Sequence, residues 1–99
     1  MSIAAAATKH AIHDKIESRI KLAEANLEAL KAKAETARAD LEIKAIANLA
    51  AERLEIHQRF EELKKAADNV RDRLKKDLET RVSAFEKSIK GIESRLMAH

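Results

Sequence analysis

Residues Ile43–Ile56, "IKAIANLAAERLEI", decide the architecture of this chain. Elsewhere the apolar residues form one narrow stripe at helical spacing. Here they spread round much of a helix, and the stripe loses its phase. Leu41, Ala45, Leu49 and Ile56 continue the main seam. Ile43, Ala47, Ala50 and Leu54 form a second line about a quarter-turn or more away, and Ile46 sits between the two. A helix that is apolar over a wide arc is normally covered by more than one neighbour. Alanines at 45, 47, 50 and 51 let such neighbours approach closely.

On the N-terminal side the stripe reads Ile12, Ile16, Ile20, Ala23, Leu27, Leu30, Ala34, Ala37, Leu41. After Ile20 its steps alternate between three and four residues, the seam expected of a coiled coil. On the C-terminal side it reads Phe60, Leu63, Ala67, Val70, Leu74, Leu78, Val82, Phe85, Ile89, Ile92, Leu96, with one stutter around Leu78. Residues 1–8 read as a frayed leader, with Ser2 or Thr8 available as a helix cap, and 9–97 as one helical region with its phase change at 41–56.

Turn signals are scarce. The 99 residues include one glycine, Gly91, and no proline. Those two residues punctuate most turns, so the chain is built of long elements. Asp40, Asn48 and Asp68-Asn69 are the plausible breaks in the middle. A single turn falls best at Asn48, where the rhythm fails, and gives a helical hairpin. No turn at all gives one through-going helix about 130 Å long at 1.5 Å per residue. Breaks near 40 and 68 give a monomeric three-helix bundle, but the second of these would interrupt a rhythm that runs on without a change of phase. The expected fold is therefore all-α. Long amphipathic helices form a coiled coil, as a hairpin or a through-going helix, and assemble as an oligomeric bundle.

Composition supports association. Hydrophobic residues are 45% of the chain, but 20 of them are alanines; 25 are large, and Trp and Tyr are absent. A thin seam completed by a second chain suits that inventory better than a thick core. Ala, Glu, Lys, Leu and Arg together supply 62 residues, as in coiled coils and long helices. The expected interface comprises Ile20, Leu27, Leu30, Leu41, Ile43, Ile46, Leu49, Leu54, Ile56, Phe60, Leu63, Val70, Leu74, Leu78, Val82, Phe85, Ile89 and Ile92. Seven acid-to-base pairs at i, i+4 line the flanks: Glu17–Lys21, Asp40–Lys44, Glu55–Arg59, Glu61–Lys65, Asp72–Lys76, Asp77–Arg81 and Glu86–Lys90.

Chemistry has few candidates. There is no cysteine, no glycine-rich phosphate loop and no nucleophile or zinc-protease motif, so no enzyme, cofactor or metal site is expected. His10, His13, Asp14 and Glu17 share a helical face at spacings that can ligate a metal, but no second cluster completes a site. His57 reads as a flank histidine. Arg71, Arg73, Lys75 and Lys76 form a basic run interrupted by Asp72, with no aromatic nearby to stack on bases. The net charge of +3 is spread thinly, at +2, −1 and +2 by thirds, so nucleic acid is not an expected partner. The longest apolar run, Ile3–Ala7, is far too short to span a bilayer. These features describe a cytoplasmic scaffold or adaptor whose partners are itself, as homo-dimer or homo-tetramer, and a helical protein. The competing readings are an amphipathic coat on a lipid or granule surface and a small helical regulator of a partner enzyme.

Overall fold

The computed structural model describes the backbone of residues 3–98 and the side chains of residues 12–98. Three helices account for nearly all of it: α1 (Ile3–Thr36), α2 (Asp40–Lys65) and α3 (Asp68–Met97). They lie side by side in a rod of 55 × 19 × 15 Å. A 34-residue helix is about 51 Å long, so α1 alone sets the length of the rod. His13 meets Phe60, and Arg53 reaches Glu24 and Glu28, so α1 and α2 run antiparallel. Arg81 binds Glu55, and residues 45–49 line a groove with residues 87–95, so α2 and α3 are antiparallel too. The path is up, down, up.

Neither the hairpin nor the through-going helix is what forms. Asn48 lies exposed in the middle of α2 rather than in a turn. The wide apolar arc around it does not mark a reversal of the chain: two helical neighbours cover one side of it, Ile46, Leu49 and Ile56, and leave the other exposed. The reversals fall at 37–39 and 66–67.

The first turn is a Schellman motif. The Ala39 N–H donates to the Ala34 carbonyl at 3.0 Å, and the Arg38 N–H to that of Glu35 at 3.2 Å. Arg38 takes the left-handed conformation this motif requires, at φ 55°. Glycine usually holds that position because it has no Cβ to clash, and Arg38 gave no such signal in the sequence. The second turn uses two extended alanines, Ala66 (ψ 143°) and Ala67 (ψ 156°). Extended backbone is open to any residue, so neither glycine nor proline is needed. Arg71 fixes the corner: its guanidinium donates to the Ala66 carbonyl at 2.9 Å and to Asp68. The 3-4 rhythm crosses this corner because the inward stripes of α2 and α3 happen to stay in phase on either side.

All three helices fill one core. Ile16, Ile20, Ala23, Leu27, Leu30 and Ala34 come from α1. Ile46, Leu49, Ile56, Phe60 and Leu63 come from α2, and Leu78, Val82, Phe85, Ile89 and Ile92 from α3. Ile12, Ile43, Ala45, Leu74 and Leu96 pack partly buried against them. The first sequence stripe thus ends at Ala34, and its last two members, Ala37 and Leu41, are carried off the seam by the turn. Met1 and Ser2, within the leader and candidate cap of the sequence reading, lie outside the described residues, as does the Thr8 side chain; α1 is helical from Ile3.

Candidate interaction surface

The middle stretch divides cleanly between inside and outside. Ile46, Leu49 and Ile56 are buried, at 2–6% exposed. Ala47, Ala50, Ala51 and Leu54 face solvent, with Leu54 61% exposed, and Ile43 is half-buried at the edge. On a helix turning 100° per residue, the outer line stands about 140° from the core line of α2. The two apolar lines of the sequence therefore serve different purposes. One closes the bundle, and the other is left over on its surface.

Most of the expected interface residues are used inside the chain. Ile20, Leu27, Leu30, Ile46, Leu49, Ile56, Phe60, Leu63, Leu78, Val82, Phe85, Ile89 and Ile92 cover one another, and no second chain is needed to bury them. Ile43, Val70 and Leu74 are partly buried. Leu41 and Leu54 are the two that stay exposed, at 79% and 61%, joined by Leu22 and Met97 at 63% and 79%. A charge placed at Ile46 or Leu49, both core positions, would therefore unfold the bundle rather than act at a contact between chains.

Beside the outer line of α2 lies a cross-helix ionic cluster. Glu24 of α1 has a side chain only 14% exposed, and its Oε2 accepts hydrogen bonds from Arg53 Nε and, at 3.0 Å, from His57 Nε2. Arg53 Nη1 donates to Glu28 at 3.0 Å. Burial acts to raise the Glu24 pKa, but the hydrogen bonds from His57 and Arg53 outweigh it and hold the carboxyl below its ordinary value. His57 is thus committed to an interhelical contact rather than standing alone on a flank. A second clamp joins α1 to α3: Arg19 Nη2 donates to Glu86 at 2.6 Å and to the Ser83 hydroxyl at 3.3 Å. The Glu86 hydrogen bond raises the Arg19 pKa further. Arg81 bridges Asp77, at 3.2 Å on its own helix, and Glu55 of α2 at 2.9 Å.

These clamps account for where the sequence pairs went. Glu17–Lys21, Glu55–Arg59 and Asp77–Arg81 close as i, i+4 pairs. Glu86 turns to Arg19 across the bundle, and Glu61 takes Lys64 one residue earlier than expected. No signal in the sequence reveals the cross-helix partners, because they depend on where the turns fall.

The remaining candidates carry no chemistry of their own. The His10 side chain lies outside the described residues. His13 stacks edge-on against Phe60, with ring centroids 6.4 Å apart, and Glu17 is held by Lys21. Among the described residues no three His, Cys, Asp or Glu side chains converge as a metal site would require. The basic run is split by burial: the Arg71 side chain is 15% exposed and tied to the corner, and Lys75 pairs with Glu79 at 3.6 Å. Gly91 faces an open groove between α2 and α3, where a Cβ would meet nothing closer than Arg95 Nη1 at 3.8 Å. Among the described residues no helix is long and apolar enough to cross a membrane. The chain matches no protein-family model, no curated protein and no solved structure.

Proposed function

We propose that this chain is a non-enzymatic, self-associating helical protein that acts in the cytoplasm as a scaffold or adaptor for protein–protein contact. The observation that carries the reading is the outer line of α2. After the core has taken Ile46, Leu49 and Ile56, a contiguous apolar line of Ala47, Ala50 and Leu54, with Ile43 at its edge, remains on the surface. Single exposed leucines are ordinary on protein surfaces, whereas apolar residues gathered along one face mark contact sites. The interhelical clamps add support, because they hold α2 in a fixed attitude from both neighbours, and a rigid face loses little entropy on docking.

Sedimentation equilibrium over a wide concentration range tests this. The expected result is a mass that rises above the 11.1 kDa of one chain as concentration increases. A fully helical protein that stays at the single-chain mass throughout refutes self-association.

A further inference from the structure

The outer face of α2 is a palindrome. Read along the helix, it runs Asp40, Ile43, Ala47, Ala50, Leu54, His57, with steps of 3, 4, 3, 4 and 3. About the midpoint between Ala47 and Ala50, small faces small, large faces large, and an acid faces a base. Five of the six residues are exposed, and Ile43 is half-buried. We propose that two copies of the chain pair through this face, antiparallel, about a two-fold axis passing between Ala47 and Ala50. The inference rests on the self-association reading above and assigns it a surface and an orientation.

A two-fold contact is isologous: if residue i of one copy meets j of the other, then j meets i. An antiparallel pair of helices satisfies that condition when the positions that meet mirror one another about one point. Here Ile43 meets Leu54, Ala47 meets Ala50, and Asp40 meets His57, each twice. The alternating 3-4 steps keep the line facing the partner along its length. Paired alanines at the centre let the helix axes approach to the lower end of the usual 8–10 Å spacing. The two large pairs then close over either side of the centre. Like charges are kept apart in this orientation, since a parallel pair sets Asp40 against Asp40. Lys44 and Glu55 occupy nearly mirrored places on the adjoining flank and favour the same orientation. The outer face of α1 also carries alanines, at 25, 29 and 32, but among the described residues its one exposed large apolar residue, Leu22, has no large apolar counterpart there.

The test is the double variant Ala47→Glu with Ala50→Glu, made at two exposed positions. Helix content by circular dichroism should match the unchanged protein. The dissociation constant from sedimentation equilibrium should rise at least about a hundredfold, the effect of a few kcal/mol at the contact. Leu54→Lys is an independent second variant, expected to act in the same direction. A double variant and a Leu54→Lys variant that both associate like the unchanged protein overturn the α2 assignment while leaving self-association standing. An unchanged protein that is a single chain at every concentration overturns both.

Orientation has its own readout, because the chain contains no cysteine. An equimolar mixture of Asp40→Cys and His57→Cys variants should form a mixed disulfide under mild oxidation. Faster cross-linking of Asp40→Cys to itself would mean a parallel pair and overturn the two-fold arrangement.

Discussion

Replacing Arg38 with glycine should stabilise this protein, and the sign of the effect discriminates between architectures. In the structure Arg38 has φ 55° and forms the left-handed residue of the Schellman turn between α1 and α2. A residue with a Cβ pays about 1–2 kcal/mol to occupy that region. Glycine does not, but it loses about 0.5–1 kcal/mol more chain entropy on folding. The exposed Arg38 side chain adds little to the balance. The net expectation for Arg38→Gly is a gain of about 0.5–1 kcal/mol, a rise in Tm of about 4 °C, given 4–8 °C per kcal/mol for a domain near this size. Thermal and urea unfolding followed by circular dichroism at 222 nm would measure it. A helix running on through residue 38 gives the opposite sign, because glycine inside a helix costs about 1 kcal/mol relative to alanine. Asn48→Gly is the matching control: Asn48 is mid-helix here, so the variant should lose stability by a few tenths of a kcal/mol. Arg38→Gly destabilising, or Asn48→Gly stabilising, would refute the placement of the turns.

The other predictions are read in the same unfolding assays. Leu63→Ala removes a fully buried side chain and should cost about 2–5 kcal/mol, whereas Leu22→Ala, at a residue 63% exposed, should change stability by less than about 0.5 kcal/mol. Gly91→Ala should stabilise by up to about 1 kcal/mol, because the site is helical and a Cβ there meets only the tip of Arg95 at 3.8 Å; a loss would mean that the groove is narrower than described. For Glu24 the folded pKa lies below the ordinary 4.5, so its contribution is complete above that value and disappears as the pH falls through the folded pKa. The stability gap between the unchanged protein and Glu24→Gln should therefore be widest near neutrality and close in acid, and a gap that does not depend on pH would argue against the interhelical contact.

The helical class was legible because it rests on periodicity, and periodicity survives any arrangement of the helices. The inward stripes of α1 and α3 were readable for the same reason: Ile16 to Ala34 and Leu78 to Ile92 form the core as their spacing implies. The turns were not. Arg38 is a poor residue for its conformation, and the Ala66–Ala67 link consists of the best helix former in an extended state. Residues 40 and 68, seen in the sequence as breaks, prove to be the first residues of α2 and α3, where an acid favours the helix N-terminus. The apolar rhythm that runs past both acids masks that signal. The surface face was visible as a second line from Ile43 to Leu54, but which line would be inside depended on the turns. Glu24, Arg53 and His57 could not be grouped at all, since residues 29 and 33 apart become neighbours only after α1 folds back on α2.

The corner between α2 and α3 leaves one consequence. No residue at positions 66 and 67 forbids a helix, and the apolar rhythm passes through them in register. Rotating ψ at two alanines from near 150° to near −42° would join α2 and α3 into a single rod with its seam intact. The reversal is therefore held by what lies on either side of it: the grip of Arg71 on Ala66 and Asp68, and the core that the returning helix completes. Chain direction at this point is a property of the tertiary structure, and the local sequence would serve a straight helix equally well.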